Sequence, residues 1–179
     1  VGKLDALVNN AGIAISAPLA KTTDADFAKV MQVNVTAPWQ LCRAVIPAMV
    51  KAGGGRVVNV ASTAALKSFR YTSAYCASKH ALLGLTRALA HELAAKNVTV
   101  NAVCPGWTDT DMLAGSVGNI VKATGRSADD ARAELAKMTP QGRFVTADEV
   151  AELTWFRAAN DAAKSITGAA YSIDGGETL

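Results

Sequence analysis

The sequence has no long apolar run, and this absence limits the kinds of protein that it can encode. Within its 179 residues, no stretch reaches the roughly 18 apolar residues that a membrane-spanning helix requires. Charges are few and scattered, since 18 Lys and Arg against 15 Asp and Glu leave a net charge of +3. Such a distribution provides neither a basic patch for nucleic acid nor a basic helix for a membrane surface. We therefore expect a globular protein with no nucleic-acid or membrane partner.

Cysteine and histidine are also sparse, which argues against a metal centre and against a disulfide framework. The three cysteines, Cys42, Cys76 and Cys104, follow no metal-binding or redox spacing. The two histidines, His80 and His91, fall on one helical pattern and not at ligand spacing. The sequence thus predicts buried, reduced thiols, no metal site and a cytoplasmic location.

Short apolar runs alternate with long helical patterns along the whole chain, which is typical of a parallel sheet with crossover helices. The predicted strands are residues 4–9, 56–61, 98–106 and 169–176, and the predicted long helices are 22–53, 74–96 and 147–160. Thr23 with Asp26 and Thr146 with Glu149 form two helix-start signals, and Pro38 is expected to bend its helix. The pattern weakens over residues 107–142, which we interpret as a loop-rich substrate-specificity lobe over the sheet and call the lobe. The fold class is α/β, with one Rossmann-like, doubly wound domain over residues 1–179.

Polar and glycine-rich turns follow three of the predicted strands. The sequence NNAG at residues 9–12 follows the first strand, Ser62 follows the second, and Pro105-Gly106 ends the third. Ligands of such sheets bind beyond the carboxyl ends of the strands. We therefore expect the functional site at this edge of the sheet.

Tyr75 and Lys79 are four residues apart on a helix, so their side chains share one face. A phenol with a pKa near 10 is a poor base at neutral pH, but a cation about 4 Å away supplies about 4 kcal/mol, or about three pKa units. Lys79 would thereby let Tyr75 exchange a proton with a carbonyl or alcohol oxygen held by Ser62. That reaction also needs a hydride, which implies a nicotinamide cofactor. The alternative is a tyrosine at a helix start and a lysine that reaches solvent.

These motifs together resemble the short-chain dehydrogenase/reductase family. NNAG at 9–12, Asn34, Ser62, YCASK at 75–79 and PG at 105–106 occur in the family's order and spacing. The resemblance implies that Tyr75 is the acid/base and that Ser62 binds the substrate oxygen. It also implies that Lys79 lowers the pKa of the phenol and binds the nicotinamide ribose. Asn34 would bend its helix and hold a water in a proton relay to Lys79.

The resemblance further implies which residues contact the cofactor NAD(P)(H). They are Asn10, Ala11, Gly12, Tyr75, Lys79, Pro105, Gly106, Thr108 and Thr110. Two residues have competing structural roles. Asn34 would serve equally as a helix-interior amide that bonds its own backbone, and Thr110 would serve equally as a helix cap.

The start of the chain departs from the family pattern. Family members begin with a strand, a glycine-rich turn and a helix, followed by the strand whose end selects NAD or NADP. The sequence instead begins with VGKLDALVNNAG. We therefore expect an N-terminally truncated domain that holds about the fourth to seventh strands and half of the cofactor site. The choice between NAD and NADP lies outside this sequence, and the resemblance slightly favours NADP(H).

Three segments are most similar to 3-oxoacyl-[acyl-carrier-protein] reductases and 3-hydroxyacyl-CoA dehydrogenases. These segments are YCASKHALLGLTRALAHEL, PGWTDTDM and SITGAAYSIDGGETL. The predicted activity is reduction of a 3-oxoacyl thioester. The alternatives are a sugar, polyol, cyclic ketone or steroid dehydrogenase, or a non-catalytic truncated scaffold.

Two further expectations concern surfaces. In the lobe, Met112, Leu113, Val117 and Ile120 either line an apolar substrate channel or pack the lobe onto the domain. The family resemblance also implies a homotetramer that is packed through the two long helices over residues 24–51 and 74–96.

Overall fold

The computed structural model describes residues 3–179 and shows them to form one parallel sheet of four strands. The strands are β1 (Ala6–Asn9), β2 (Gly55–Val60), β3 (Val98–Pro105) and β4 (Ala170–Ile173). They lie side by side in chain order, and every neighbouring pair is parallel. The predicted α/β fold is confirmed. Because the strands run in one direction, the turns that follow β1, β2 and β3 emerge at one edge, which we call the rim.

Residues 3–179 also contain six α-helices. These are α1 (Asp24–Met31), α2 (Ala37–Lys51), α3 (Ser73–Leu93), α4 (Asp111–Thr124), α5 (Ala128–Ala136) and α6 (Ala147–Ala159). Thr23 and Thr146 each accept a hydrogen bond from the backbone three residues on, and Asp26 and Glu149 complete both capping boxes as predicted. Local sequence therefore sets where α1 and α6 begin.

The long helix predicted over residues 22–53 is interrupted between α1 and α2. Residues Gln32–Thr36 form a π-helical turn, and Asn34 is buried within it. Pro38 lies in the first turn of α2, directly after this π-helical turn, and the prediction that it bends the helix stays a prediction. Gly53 and Gly54 follow α2 with φ values of 91° and 145°. These conformations suit glycine and end the helix.

The main core lies between the sheet and helices α2 and α3. Its buried side chains are Cys42, Ile46, Met49, Val57, Ala90, Leu93, Val98 and Val100. Neighbouring residues of a strand point to opposite faces, so Arg56 points away from this core, and its charge acts on Arg157 of α6. Helix α6 packs against β1, β2 and β3. Helices therefore cover both faces of the sheet.

The lobe has a hydrophobic cluster of its own. Leu113 and Val117 of α4 pack with Ala131 and Leu135 of α5, and Ile120 lies against this cluster. Leu113, Val117 and Ile120 therefore pack α4 against α5 within the lobe, which differs from both expected roles. Met112 differs, because 43% of it is exposed.

The three thiols are free. Cys42 and Cys104 are buried as predicted, whereas Cys76 is only partly buried. His80 and His91 are both exposed.

Among residues 3–179, no helix is long and apolar enough to cross a bilayer.

Candidate active site

Helix α3 carries Tyr75 and Lys79 to the end of β2. The Nζ atom of Lys79 donates a hydrogen bond of 2.9 Å to the carbonyl oxygen of Val60, the last residue of β2. The same atom lies 5.6 Å from the centroid of the Tyr75 ring. Lys79 is buried, and burial lowers its pKa from 10.5 to about 8. Its ammonium group therefore titrates close to the neutral range.

The phenol of Tyr75 is held in its protonated form. Burial raises its pKa above the ordinary value of 10.0, and the Ser62 hydroxyl opposes this shift. The role of Lys79 in lowering this pKa stays a prediction. The ammonium is bound to Val60 and lies against the ring, so desolvation of the phenolate prevails. At neutral pH, Tyr75 is therefore placed to donate a proton.

Ser62 begins the turn that follows β2. Its hydroxyl oxygen accepts a hydrogen bond of 3.1 Å from the backbone N–H of Ala64, which caps the short 3-10 helix Thr63–Ala65. A hydroxyl that accepts through its oxygen still has its own proton to donate. Ser62 can therefore donate to Tyr75 or to a substrate oxygen.

Asn34 connects the π-helical turn, the loop after β1 and helix α3. Its Oδ1 accepts from the backbone N–H of Ile13 at 2.9 Å, and its Nδ2 donates to the Ile13 carbonyl at 2.9 Å and to Ser78 Oγ at 3.0 Å. The alternative that this amide bonds its own helix is wrong, because the side chain spans to the loop after β1. Asn34 thus fixes that loop against α3. The water relay implied by the resemblance stays a prediction.

A buried chain of polar side chains holds the end of β1. Asn9 Nδ2 donates to Asn59 Oδ1 at 2.7 Å, and Asn59 Nδ2 donates to Thr86 Oγ1 at 2.8 Å. Asn9 and Asn59 occupy paired positions of β1 and β2. These bonds join both strands to α3, so the loop that starts at Asn10 leaves from a fixed point.

The loop over residues 10–12 passes beside the catalytic candidates. Asn10 and Ala11 are exposed. A Cβ added to Gly12 would lie 3.4 Å from both Asn34 Oδ1 and Lys79 Nζ. The absence of a side chain at Gly12 therefore leaves the way to the ammonium of Lys79 open.

The turn Pro105-Gly106 lies at the same edge. The N–H of Gly106 donates to the Ile173 carbonyl at 3.0 Å, and Thr108 Oγ1 donates to the Gly106 carbonyl at 3.0 Å. Thr110 occupies the cap position of α4, but its side chain does not cap the helix. Its hydroxyl instead donates to the Thr108 carbonyl at 3.3 Å. Thr108 and Thr110 therefore extend the rim from Gly106 towards the lobe.

These residues fit a nicotinamide nucleotide. Gly12 lies beside Lys79, since a Cβ added there would be 3.4 Å from Nζ, so a ribose hydroxyl bound at this loop would lie within reach of the ammonium. Beside the Pro105-Gly106 turn, Trp107 Nε1 is buried without a hydrogen-bond partner in the described part of the chain. A buried donor without a partner is costly, and a bound polar group would satisfy it.

Two residues of this region were missed by sequence reasoning. Ser78 donates to the Tyr75 carbonyl at 2.7 Å and accepts from Asn34, so it links two catalytic candidates. Its signal was a small hydroxyl residue between Tyr75 and Lys79. Glu177 is buried behind the rim, and its signal was an acidic residue that follows two glycines near the chain end.

Known proteins that resemble this chain in sequence are oxidoreductases. A family model described as enoyl-(acyl carrier protein) reductase matches residues 1–178. A D-beta-hydroxybutyrate dehydrogenase of Rhizobium meliloti is 35% identical over 99% of this chain and 69% of its own length. A 3-oxoacyl-[acyl-carrier-protein] reductase of Chlamydia muridarum is 34% identical over 98% of this chain and 66% of its own length.

The fold matches solved structures equally well. The crystal structure of an actinorhodin polyketide ketoreductase with NADPH gives a TM-score of 0.94 at 35% identity, over 99% of this chain and 68% of that one. The match to the family model over residues 1–178 does not confirm the expected absence of an N-terminal part. On the motifs, the rim geometry and these matches, the chain belongs to the short-chain dehydrogenase/reductase family of oxidoreductases.

Proposed function

We propose that the protein transfers a hydride between NAD(P)(H), with NADP(H) favoured, and a carbonyl or secondary alcohol, and that its substrate is a 3-oxoacyl thioester. The observation that carries this proposal is the meeting of the Tyr75 phenol with the Ser62 hydroxyl and the Lys79 ammonium at the end of β2. Relatives named for 3-oxoacyl and 3-hydroxy acid substrates support the substrate class. A structural neighbour with NADPH supports the cofactor.

The catalytic residues act on the substrate oxygen. Ser62 donates a hydrogen bond to the carbonyl oxygen and orients it towards Tyr75. Tyr75 then donates its proton to that oxygen as the alcohol forms, and it accepts the proton in the reverse reaction. Lys79 stabilises the phenolate that remains, because its ammonium lies 5.6 Å from the ring centroid. The nicotinamide, when bound, supplies or accepts the hydride.

We further propose that the cofactor is held by the rim. The residues for this role are Asn10, Ala11, Gly12, Tyr75, Lys79, Pro105, Gly106, Thr108 and Thr110. A fluorescence titration with NADPH and NADH tests this proposal directly. A Gly12→Val variant should weaken NADPH binding because its side chain would contact Lys79. Equal binding by Gly12→Val would contradict the role of this loop.

The substrate class is tested by turnover. We would follow NADPH oxidation with acetoacetyl-CoA, a cyclic ketone and a keto-sugar at equal concentrations. Turnover of the thioester alone supports the proposal, and turnover of the ketone or sugar alone contradicts the thioester assignment. If no carbonyl is reduced and NADPH does not bind, the non-catalytic scaffold is the better description.

The protein is also proposed to form a homotetramer through its long helices. In α2, Trp39 and Leu41 are exposed to 43% and 48%. Large apolar side chains that are exposed on one helix favour burial in an interface. Light scattering measures the mass directly. Trp39→Glu should lower it if α2 forms the interface, and a monomeric wild-type protein would overturn this proposal.

We also propose a cytoplasmic location, and the state of the three thiols supports it. Cys42, Cys76 and Cys104 are all free, and free thiols persist in a reducing compartment. Cell fractionation with an antibody to the protein tests this location.

A further inference from the structure

The segment after β4 returns beneath the rim and buries two carboxylates. Asp174 and Glu177 are each only 7% exposed. The carboxylate of Asp174 has hydrogen-bond partners within its own turn. It accepts hydrogen bonds from the N–H of Gly176 at 2.9 Å and from the N–H of Thr178 at 3.0 Å. Glu177 has side-chain partners in another part of the chain, and a buried carboxylate requires such partners.

The carboxylate of Glu177 contacts the turn that begins at Ser62. Its Oε2 accepts from Thr63 Oγ1 at 3.4 Å, and its Oε1 lies 3.4 Å from Lys67 Nζ. Lys67 also donates to the backbone carbonyl of Glu177 at 2.8 Å. Thr63 directly follows Ser62, so these contacts fix the turn that carries the Ser62 hydroxyl.

The same carboxylate touches the turn after β3. A Cβ added to Gly106 would lie 2.8 Å from Glu177 Oε2 and 2.9 Å from Asp174 Cα. The Pro105-Gly106 turn therefore rests directly on the two acidic residues, and this close approach requires glycine. Two of the three turns that form the rim meet at Glu177.

We propose that Glu177 is a positioning residue that couples the Ser62 turn to the Pro105-Gly106 turn, with Lys67 as its counter-charge. The inference rests on the proposed function, since it concerns the geometry of the same site. An ionised carboxylate attracts Lys67 and accepts from Thr63. Protonation removes the ion pair, so the coupling depends on the charge of Glu177.

The charges around Glu177 predict opposite effects on stability and on activity. Burial raises the pKa of Glu177, Lys67 of the Ser62 turn lowers it, and Asp174 of its own segment raises it. Gly106, which faces it from the turn after β3, carries no charge. A carboxyl whose pKa is raised on folding stabilises the fold below its unfolded pKa, and this contribution is lost as the pH rises through the folded pKa. Ionised Glu177 thus positions the rim at a cost in stability.

The test compares Glu177→Gln and Lys67→Met with the control Glu152→Gln, which changes an exposed residue of α6. In Glu177→Gln we expect kcat to fall about tenfold with the substrate that the wild type reduces. The reason is that a small displacement of Ser62 from the reacting oxygen slows a reaction strongly. In the wild type, kcat/KM should decline on the acidic side as Glu177 becomes protonated, and this decline should be absent in Glu177→Gln. In Lys67→Met the decline should move to higher pH, because loss of the cation raises the pKa of Glu177 further. Glu152→Gln should match the wild type.

Stability and hydrogen exchange separate positioning from a merely structural role. At about pH 8, Glu177→Gln should melt no lower than the wild type, since it removes a destabilising charge. The amide protons of Ala65 and Gly106, which bond to Ser62 and Ile173, should exchange faster in Glu177→Gln than in Glu152→Gln. A fall in activity that parallels a lower melting temperature, with an unchanged pH profile and unchanged exchange, would overturn the proposal.

Failure of this proposal about Glu177 can be told apart from failure of the proposed function. If the wild type reduces no carbonyl and binds no NADPH, the proposed function fails. The exchange rates of Ala65 and Gly106 still decide whether Glu177 couples the two turns, because they need neither substrate nor cofactor.

Discussion

The rim and the lobe are held together by different forces. At the rim, buried polar side chains bond one another, as in Asn34 with Ser78 at 3.0 Å and Asn9 with Asn59 at 2.7 Å. In the lobe, α4 and α5 meet through an apolar cluster that includes Leu113 and Leu135. Hydrogen bonds are directional, whereas hydrophobic contacts depend mainly on the area buried. Directional contacts thus constrain the geometry of the rim more tightly than apolar packing constrains that of the lobe.

The largest expected effect is at Tyr75. Tyr75→Phe removes the proton donor and should lower kcat by about 10²–10⁴ fold, the range for general acid–base catalysis. The melting temperature should change little, since the ring is retained. Initial rates of NADPH oxidation and thermal unfolding measure both effects. The control is Tyr71→Phe, because Tyr71 is 57% exposed, and full turnover by Tyr75→Phe would exclude the mechanism.

Asn34→Ala and Leu135→Ala compare the two regions directly. Asn34→Ala removes the partner of the Ile13 N–H and carbonyl and the hydrogen bond that Ser78 accepts, so the free energy of unfolding should fall by about 2–4 kcal/mol. The value of kcat should fall as well, because the loop beside Lys79 loses its anchor. Leu135→Ala should destabilise by about 2–4 kcal/mol through a cavity but leave kcat within about twofold. Denaturant titration and initial rates provide the comparison, and an equal loss of kcat in both variants would refute it.

The pH dependence of stability tests whether burial destabilises the ammonium of Lys79. The pKa of Lys79 is lowered from 10.5 to about 8, so its stability contribution is present above pH 10.5 and is lost as the pH falls through about 8. The difference in free energy of unfolding between wild type and Lys79→Met should therefore grow with rising pH, by about 3 kcal/mol in total. Denaturant titrations at a series of pH values measure this difference. A constant difference would show that Lys79 is not desolvated.

The smallest effect is expected at the surface of the lobe. Met112 is 43% exposed and lies outside the apolar cluster, so Met112→Ala should leave the melting temperature nearly unchanged. If the lobe contacts the acyl chain, KM for a long-chain thioester should rise by about 3–10 fold while kcat is retained. Met138→Ala, at another exposed lobe position, is the matched control. A fall in kcat without a change in KM would place Met112 in the rim instead.

Sequence reasoning succeeded where the signal was local and failed where it depended on distant partners. The capping boxes at Thr23 and Thr146 were predictable because both partners lie within three residues. The partner of Glu177 at Thr63 is 114 residues away, and no local pattern marks such a contact. The pKa direction of Tyr75 also depended on tertiary structure, since burial and the Lys79–Val60 bond appear only on folding.

The π-helical turn at Gln32–Thr36 has a consequence for helical phase. A π turn holds more residues than the 3.6 residues of an α turn, so it advances the register between the helices on either side. This offset lets Asn34 reach Ile13 while Cys42 still enters the core. Deletion of one residue within the turn would convert it to an α turn and remove the widened backbone from which Asn34 reaches Ile13. The chain should therefore tolerate substitutions at exposed Gln32 better than any change in the length of this turn.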